Sequence, residues 1–184
     1  MPPGNYRIIA GEWRGRRLPI PDLPGLRPTP DRVRETLFNW LAPTLPGARC
    51  LDLFAGAGAL GFEAASRGAG HVMLVDRERA VTELLRQEAV RLNAANVEIA
   101  QSEVLAFLRD TAEPCDIVFL DPPYAAQLLP ATLALLHEGA WVKTGGWVYI
   151  EHDAREKPPE LPIGWRYHRS KRAAQVGYHL VEAG

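Results

Sequence analysis

From residue 48 onward, short apolar runs alternate with longer segments that are apolar on one face only. The runs predict strands at 49–54, 71–76, 97–100, 115–120 and 146–151. The longer segments predict helices at 59–68, 79–93, 103–110 and 127–138. This alternation is typical of a mostly parallel sheet flanked by helices, an α/β fold. Residues 165–169 and 176–180 alternate without a helix between them and predict an antiparallel hairpin that closes the sheet.

The first 46 residues follow a different pattern, which predicts an N-terminal appendage (1–46) next to a main domain (47–184). Residues 6–10 and 16–20 flank a glycine-containing turn and predict a short hairpin. Thr29 and Pro30 then open a predicted helix, with Thr29 as the N-cap, and Pro43 ends it. The apolar face of that helix consists of Val33, Leu37, Trp40 and Leu41.

Composition and charge narrow the possible functions. Hydrophobic residues make up 47% of the 184 residues and charged residues 23%, so the chain can bury an ordinary core. The net charge is −1, and any affinity for nucleic acid must therefore be local. The first fifty residues carry eight arginines against four acids. We expect phosphate contacts from Arg7, Arg14, Arg16, Arg17, Arg27, Arg32 and Arg34, the alternative for each being a solvated basic surface.

Several other features predict a cytoplasmic protein without a metal site. Cys50 and Cys115 each lie in an apolar run, and no apolar stretch reaches the ~18 residues of a membrane helix. The N-terminus has no signal-peptide pattern. The five histidines lack the spacing of metal ligands, which argues against a zinc site and a Ser-His-Asp triad.

A glycine-rich turn follows the first strand of the main domain. Residues 56–61 fit the pattern G-x-G-x-x-G, and Asp76 lies 20 residues beyond Gly56 at the end of the next strand. Glycines let a ligand approach the backbone, and the carboxylate of Asp76 can accept hydrogen bonds from both hydroxyls of a ribose. The motif therefore predicts a cofactor that contains a nucleoside, although turn glycines beside a solvated acid would give the same pattern.

Asp52, inside the strand before this turn, bears on the identity of the cofactor. A pyrophosphate would meet its negative charge, whereas a cationic cofactor would tolerate it. S-adenosylmethionine carries a sulfonium and an ammonium group and no phosphate, so Asp52 favours it over NAD. The alternative is that Asp52 only caps backbone amides.

The most specific motif is Asp121-Pro122-Pro123-Tyr124 at the end of the fourth strand. An exocyclic amino group of a nucleobase is a poor nucleophile because its lone pair is delocalised into the ring. Hydrogen bonds to Asp121 and a proline carbonyl would orient it, and Tyr124 would stack on the extruded base. A strand end followed by a simple turn is the alternative.

Glu103 and Val104 follow the third predicted strand. The Glu103 carboxylate is placed to accept from an adenine amino group of the cofactor, and the Val104 amide to donate to a ring nitrogen. Alternatively, Glu103 is only an acid in the first turn of a helix.

Together these motifs resemble class I S-adenosylmethionine-dependent methyltransferases that act on exocyclic amines. Residues 7–19 and 26–41 also look like the N-terminal region of the bacterial RsmD family, whose members methylate N2 of one guanine in small-subunit (16S) ribosomal RNA within the 30S particle. The resemblance covers nearly the whole chain and weakens after residue 152. It departs at Glu103, where the family commonly has Asp or Asn, and at Pro30, where Thr or Asp is frequent.

The resemblance implies a Rossmann-like fold, S-adenosylmethionine as cofactor, and guanine-N2 methylation of 16S ribosomal RNA in the 30S particle. We expect the protein to be a monomer. No metal or membrane is implied. The catalytic residues expected are Asp121, Pro122 and Tyr124. The cofactor contacts expected are Asp52, Phe54, Ala55, Gly56, Gly58, Asp76, Arg77, Glu103, Val104 and Asp121.

Three other functions stay open at this point. An adenine-N6 methyltransferase acting on DNA or RNA would have the same site with another target. A nicotinamide oxidoreductase would use the glycine turn, but Asp52 argues against it. A non-catalytic RNA-binding module would need neither the glycine turn nor the Asp121 motif.

Overall fold

The structure is a computed structural model that describes residues 4–23, 29–123 and 127–184. Arg27 and Tyr124, both predicted to be functional, lie outside these ranges. The elements in chain order are β1 (Asn5–Arg7), β2 (Arg17–Pro19), α1 (Asp31–Leu41), β3 (Arg49–Asp52), α2 (Ala59–Ser66), β4 (His71–Asp76), α3 (Arg79–Leu92), β5 (Val97–Gln101), α4 (Val104–Phe107), β6 (Cys115–Leu120), α5 (Leu129–Glu138), β7 (Val142–Asp153), β8 (Arg166–Ala173) and β9 (Val176–Glu182).

Strands β3 to β9 form one sheet in the order β5-β4-β3-β6-β7-β9-β8. The first five strands of that order pair in parallel, and β9 pairs antiparallel with both β7 and β8. The predicted Rossmann-like, mostly parallel sheet with a C-terminal antiparallel hairpin is therefore confirmed. The apolar runs in β3 and β6 are explained by their central position, because helices cover both faces of the sheet there.

Side chains alternate between two cores, one on each face of the sheet. Cys50 and Ile117 face the core that contains α1, α2 and α3, whereas their neighbours Leu51 and Val118 face the core that contains α4 and α5. This alternation is the two-residue period of a β-strand. It allows each central strand to contribute to both cores.

The appendage hairpin, β1 and β2, docks on α2 of the main domain. Its buried residues Tyr6 and Trp13 belong to the same core as the sheet, and the Glu12 amide donates to the Ser66 carbonyl oxygen at 2.8 Å. At Gly11 (φ +84°), a Cβ atom would lie 1.9 Å from that oxygen, so only glycine permits this approach. The appendage and the main domain therefore share one core, and the predicted division at residue 47 stays a prediction.

Some predicted boundaries differ from those in the structure. Strand β7 is longer than predicted and α4 shorter, covering only Val104–Phe107. The prediction that Thr29 is the N-cap of α1 is wrong. The N-cap is Pro30, and no side chain caps this helix. The Thr29 hydroxyl instead donates to the Asp121 carboxylate at 3.4 Å, a tertiary partner that outcompetes the local one.

Candidate active site

The carboxyl ends of four neighbouring strands bring the predicted cofactor and catalytic residues to one edge of the sheet. Asp76 ends β4, Asp52 ends β3, Asp121 follows β6, and Glu103 lies two residues beyond β5. These strands are adjacent in the order β5-β4-β3-β6 and run in parallel. Open α/β sheets bind their ligands at this edge, so the geometry supports one continuous site.

The loop between β3 and α2 is held tightly against the protein. The Ala55 amide donates to the Val75 carbonyl oxygen at 3.0 Å, and Gly58 (φ +77°) occupies the N-cap position of α2. A Cβ atom at Gly58 would lie 2.6 Å from the Phe62 ring. The protein's own packing therefore requires glycine here, and a Gly58 substitution would test folding together with cofactor binding.

Asp76 connects this loop to the end of β4. Its Oδ2 accepts a hydrogen bond from the Gly56 amide at 2.9 Å, and its Oδ1 accepts one from the Glu78 amide at 2.9 Å. Each carboxylate oxygen can accept a second bond, and the side chain is only partly buried. Asp76 is thus able to receive ribose hydroxyls while it fixes the loop.

Arg77 and Glu103 lie on the outer part of this edge, beyond β4 and β5. Their side chains are exposed, and a charged nitrogen of Arg77 lies 3.9 Å from Glu103 Oε1. Such exposed pairs contribute little stability. Glu103 occupies the N-cap position of α4 without capping it through its side chain, and Val104 is buried at the start of that helix. The side chains of Arg77 and Glu103 are accessible to a ligand at the edge.

Asp52 is 1% exposed and lies below the glycine loop. Its Oδ2 accepts from the Gly61 amide at 3.1 Å, so it does cap the first turn of α2. Burial raises the pKa of Asp52 to about 7, while the amides of Gly61 and Phe54 lower it. Of the neighbouring loop residues, Phe54 is partly buried and Ala55 is buried.

The other oxygen of Asp52, Oδ1, has no hydrogen-bond partner among the described residues, although it is buried. A positive charge nearby stabilises such a carboxylate, whereas a phosphate would destabilise it further. S-adenosylmethionine carries two positive charges beside its nucleoside. The buried acid, the glycine loop and Asp76 therefore fit this cofactor.

Asp121 lies at the end of β6, next to the cofactor loop. Its side chain is partly buried, Pro122 is buried and Pro123 is exposed. Burial raises the pKa of Asp121 well above its ordinary value, and the charges of Glu151 and Asp52 raise it further. A cleft of about 320 Å³ adjoins Pro122 and Pro123, large enough to admit a nucleobase.

Three side chains near Asp121 were not predicted from the sequence to belong to this site: Thr29, Tyr149 and Glu151. Glu151 is 2% exposed and accepts a hydrogen bond from the Tyr149 hydroxyl at 2.7 Å. It follows the apolar run of β7 directly, as Asp121 follows that of β6. An acid at the end of a buried strand was thus an available signal for Glu151. No local signal indicates that Thr29 reaches this site.

Most of the described arginines predicted to contact phosphate are exposed. They are Arg7, Arg14, Arg16, Arg17 and Arg32. Their side chains form no ion pair with any residue in the ranges 4–23, 29–123 and 127–184. The hairpin and the start of α1 therefore present unneutralised positive charge to solvent.

Arg34 is an exception, and its predicted exposure to phosphate is wrong. Its side chain is 0% exposed, donates to the Arg7 carbonyl oxygen at 2.9 Å and pairs with Asp31 and the buried Glu63. Its guanidinium also lies over the Tyr6 ring, 5.3 Å from the centroid. Arg34 is enclosed because it lies between the hairpin residues Tyr6 and Arg7 and Glu63 of α2, so it stabilises the docked appendage and cannot reach RNA.

Two further findings concern the described parts of the chain. No helix there is long and apolar enough to cross a membrane. No three His, Cys, Asp or Glu side chains among the same residues come together in a way that could hold a metal ion. Cys50 and Cys115 are both buried thiols without a disulfide.

Solved structures share this architecture over nearly the whole chain. The putative methyltransferase yhhF from Escherichia coli is 47% identical with a TM-score of 0.91, and the match covers 98% of each chain. An RNA methyltransferase from Salinibacter ruber in complex with S-adenosyl-L-homocysteine is 20% identical, with a TM-score of 0.62 over 85% of this chain and 94% of that one. The second likeness concerns the fold alone.

Sequence relatives cover nearly the whole chain as well. The family described as "Conserved hypothetical protein 95" matches residues 6–182. "Ribosomal RNA small subunit methyltransferase D" of Escherichia coli K12 is 48% identical over 179 residues, 97% of this chain and 90% of that protein. The Haemophilus influenzae protein of the same name is 40% identical over 183 residues, 97% and 94% of the two chains. With a family match over almost its full length and relatives this similar, the chain belongs to the RsmD family of methyltransferases.

Proposed function

We propose that this protein transfers a methyl group from S-adenosylmethionine to the exocyclic N2 of a guanine in small-subunit ribosomal RNA, within the 30S particle. At the coarser level it is a ribosomal RNA methyltransferase, and S-adenosylmethionine is its methyl donor. The choice of guanine N2, the assembled particle as substrate and a monomeric enzyme are the parts that we propose.

The observation that carries the proposal is the pairing of β3 with β6. Asp52 of β3 lies opposite Phe119 of β6, so the cofactor loop and Asp121 leave neighbouring strands at the same edge. A methyl donor in the loop and an amine at Asp121 would therefore meet. Neither a non-catalytic RNA-binding module nor a nicotinamide enzyme requires the cofactor loop and Asp121 to lie together in this way.

The chain's own residues supply orientation and a proton acceptor. When bound, S-adenosylmethionine supplies an electrophilic methyl group on its sulfonium. Asp121 and the carbonyl oxygen of Pro122 accept hydrogen bonds from the target NH₂ group and direct its lone pair toward that methyl. Transfer of that methyl group to the amine would release S-adenosylhomocysteine and leave a cationic nitrogen, and Asp121 would take one proton from it. Tyr124 is assigned to stack on the extruded base.

Recognition of RNA is assigned to the exposed arginines of the appendage. The hairpin docks on α2, the helix that begins at the cofactor loop, so RNA held there lies on the same body as the active site. Phosphate contacts of this kind hold the nucleic acid in register but do not read its sequence. Arg7, Arg14, Arg16, Arg17 and Arg32 are the described candidates, and Arg27 is a candidate from sequence alone.

Nucleoside analysis of the product tests the proposal. Unmethylated 30S particles, naked 16S ribosomal RNA and DNA are incubated with the protein and methyl-labelled S-adenosylmethionine, then digested to nucleosides. We expect N2-methylguanosine, formed mainly on 30S particles. N6-methyladenosine would identify the rival target, and equal activity on naked RNA would remove the assembled particle from the proposal.

A further inference from the structure

We propose that Glu151 is a positioning residue that shares one proton with Asp121 through the Thr29 hydroxyl and holds this proton while Asp121 receives the target amine. The inference deepens the proposed function and rests on it, because it concerns the same catalytic edge. Its own basis is an arrangement of three side chains from three separate parts of the chain.

Asp121 and Glu151 lie side by side at the ends of adjacent parallel strands. Leu120 pairs with Ile150 in the register of β6 and β7, so the next residue on each strand is an acid. Neighbouring strands are separated by about 4.8 Å. When two carboxylates leave the backbone at this spacing in a largely enclosed site, their repulsion favours retention of a proton by one of them.

Thr29 lies beside the two acids, in the segment that precedes α1. Its hydroxyl donates to Asp121 Oδ2 at 3.4 Å, and its proximity lowers the pKa of Glu151. A hydroxyl has a single proton to donate, so it cannot donate to two ionised carboxylates at once. It satisfies both when one acid is protonated, because it accepts from that acid and donates to the other.

Enclosure and the arriving amine favour Glu151 as the holder of the proton. Tyr149 donates to Glu151 Oε1 and Thr29 donates to Asp121, so each acid receives one donor, and the Tyr149 bond lowers the pKa of Glu151. A protonated Glu151 would donate to Thr29, and the donors would then form one chain that ends at Asp121. Glu151 is also almost fully enclosed, whereas Asp121 is partly exposed and would receive the N–H donors of the amine. Such donors favour the ionised form of a carboxyl group.

The charged surroundings point to one shared negative charge. The ionisable groups around the pair are Asp52 of β3, Tyr149 of β7 and Tyr178 of β9, which lies opposite Glu151, and none of them brings a positive charge. Burial is the largest cause that raises the pKa of each acid, and the charge of Glu151 further raises the pKa of Asp121. Two ionised carboxylates here would have no compensating cation among the described residues.

Thr29 gives this pair a connection to the appendage. The residue shortly precedes α1, the helix that also carries the exposed Arg32 and the buried Arg34. The hydrogen-bond chain is complete only when this segment lies against the sheet. Glu151 thus acts on the amine through Thr29 and Asp121, and it does not itself touch the substrate.

Carboxyl titration tests the shared proton without using methylation activity. The full chain is labelled with ¹³C at the side-chain carboxyls of Asp and Glu, and the signals are followed by NMR between pH 4 and 9, with assignment by substitution. We expect Asp121 and Glu151 to titrate in two coupled steps, the upper one at or above neutral pH. In Glu151→Gln and in Asp121→Asn, the upper step of the remaining acid should disappear or fall by about one pH unit or more.

Glu88→Gln is the matched control, since Glu88 is also buried but pairs with Arg91. It should leave both steps in place. Titration of Glu151 and Asp121 as independent groups, each unmoved by substitution of the other, would overturn the proposal. This result would leave the guanine assignment intact, because the measurement involves no RNA.

Turnover of 30S particles tests which acid holds the proton. Glutamine has the shape of a protonated glutamate, with a donor for Thr29 and an acceptor for Tyr149, so Glu151→Gln should keep kcat within about 3-fold. Glu151→Leu and Thr29→Val should lower kcat about 10-fold with KM for RNA unchanged, and Thr29→Ser should restore it. A Glu151→Gln variant as inactive as Asp121→Asn would show that Glu151 acts as an ionised group and would overturn the assignment.

Discussion

The carboxylate of Asp76 accepts a hydrogen bond from the Gly56 amide at 2.9 Å and so fastens the cofactor loop to the end of the neighbouring strand. Asp76→Ala removes this bond together with both acceptors for a ribose. We expect it to weaken S-adenosylmethionine binding by about 1–3 kcal/mol, measured by calorimetry. Glu113→Ala, an exposed acid near the opposite edge of the sheet, is the control. Unchanged affinity in Asp76→Ala would remove Asp76 from the cofactor site.

Asp121→Asn should lower the rate of methyl transfer by at least ~10²-fold, because an amide cannot take the proton that the amine releases. Cofactor affinity should change by less than about 3-fold. Single-turnover methylation of 30S particles, with calorimetry of the cofactor, separates the two effects. The exposed Asp110→Asn serves as control. Equal losses in rate and in cofactor affinity would assign Asp121 to binding instead of the chemical step.

The buried Asp52 makes stability depend on pH in a defined direction. Its pKa is raised from 3.8 to about 7, so between these values the folded protein holds a proton that the unfolded chain has lost. The free energy of unfolding must therefore fall as pH rises through this window. Asp52→Asn removes this titration and keeps an acceptor for the Gly61 amide.

Denaturant unfolding of both proteins without cofactor measures this effect. Relative to the wild type, Asp52→Asn should gain about 3 kcal/mol between pH 5 and pH 8, at 1.36 kcal/mol per pKa unit. Asp121 and Glu151 are present in both proteins, so the comparison removes the part of their titration that does not depend on the charge of Asp52. A difference between the two proteins that stays constant with pH would mean that Asp52 is ionised throughout.

The hairpin arginines Arg14, Arg16 and Arg17 should govern the salt dependence of 30S binding. Changing all three to Gln should leave S-adenosylmethionine affinity intact and weaken 30S binding. The plot of log affinity against log salt should flatten by nearly one unit for each phosphate that the variant no longer binds. A triple variant at Arg49, Arg109 and Lys143, away from the hairpin, is the control. Normal 30S turnover with an unchanged slope would show that the hairpin does not recognise RNA.

Arg32 and Arg34 form a matched pair on one helix, since the first is exposed and the second is buried against Glu63. Arg34→Met removes one partner of a buried ion pair and should lower the free energy of unfolding by about 3 kcal/mol. Arg32→Met should change stability by less than about 0.5 kcal/mol and weaken 30S binding instead. Chemical denaturation and the binding assay together check both expectations. Equal stability of the two variants would contradict the enclosed position of Arg34.

Local sequence patterns were enough to predict the secondary-structure elements of the main domain and the motifs at their ends. The period of apolar residues is a local property, and it identified the strands from β3 to β6 to within two residues at each end. The glycine loop, Asp76 and Asp121 were equally visible, because each lies at the end of its own strand or directly after it. In parallel strands such positions lie at one edge, so the site followed from the fold class.

The partners of Thr29 and Arg34, by contrast, depend on how the appendage packs against the main domain. Local rules assigned Thr29 to a helix cap and Arg34 to the surface, but Asp121 lies 92 residues from Thr29, and Glu63 lies 29 residues from Arg34. A polar side chain takes the partner that replaces its lost water, and the docked appendage supplies that partner from a distant part of the chain. The period of apolar residues shows which face of a helix or strand is buried. Whether a charged side chain beside that face contacts solvent or an opposite charge depends on the element that packs against it.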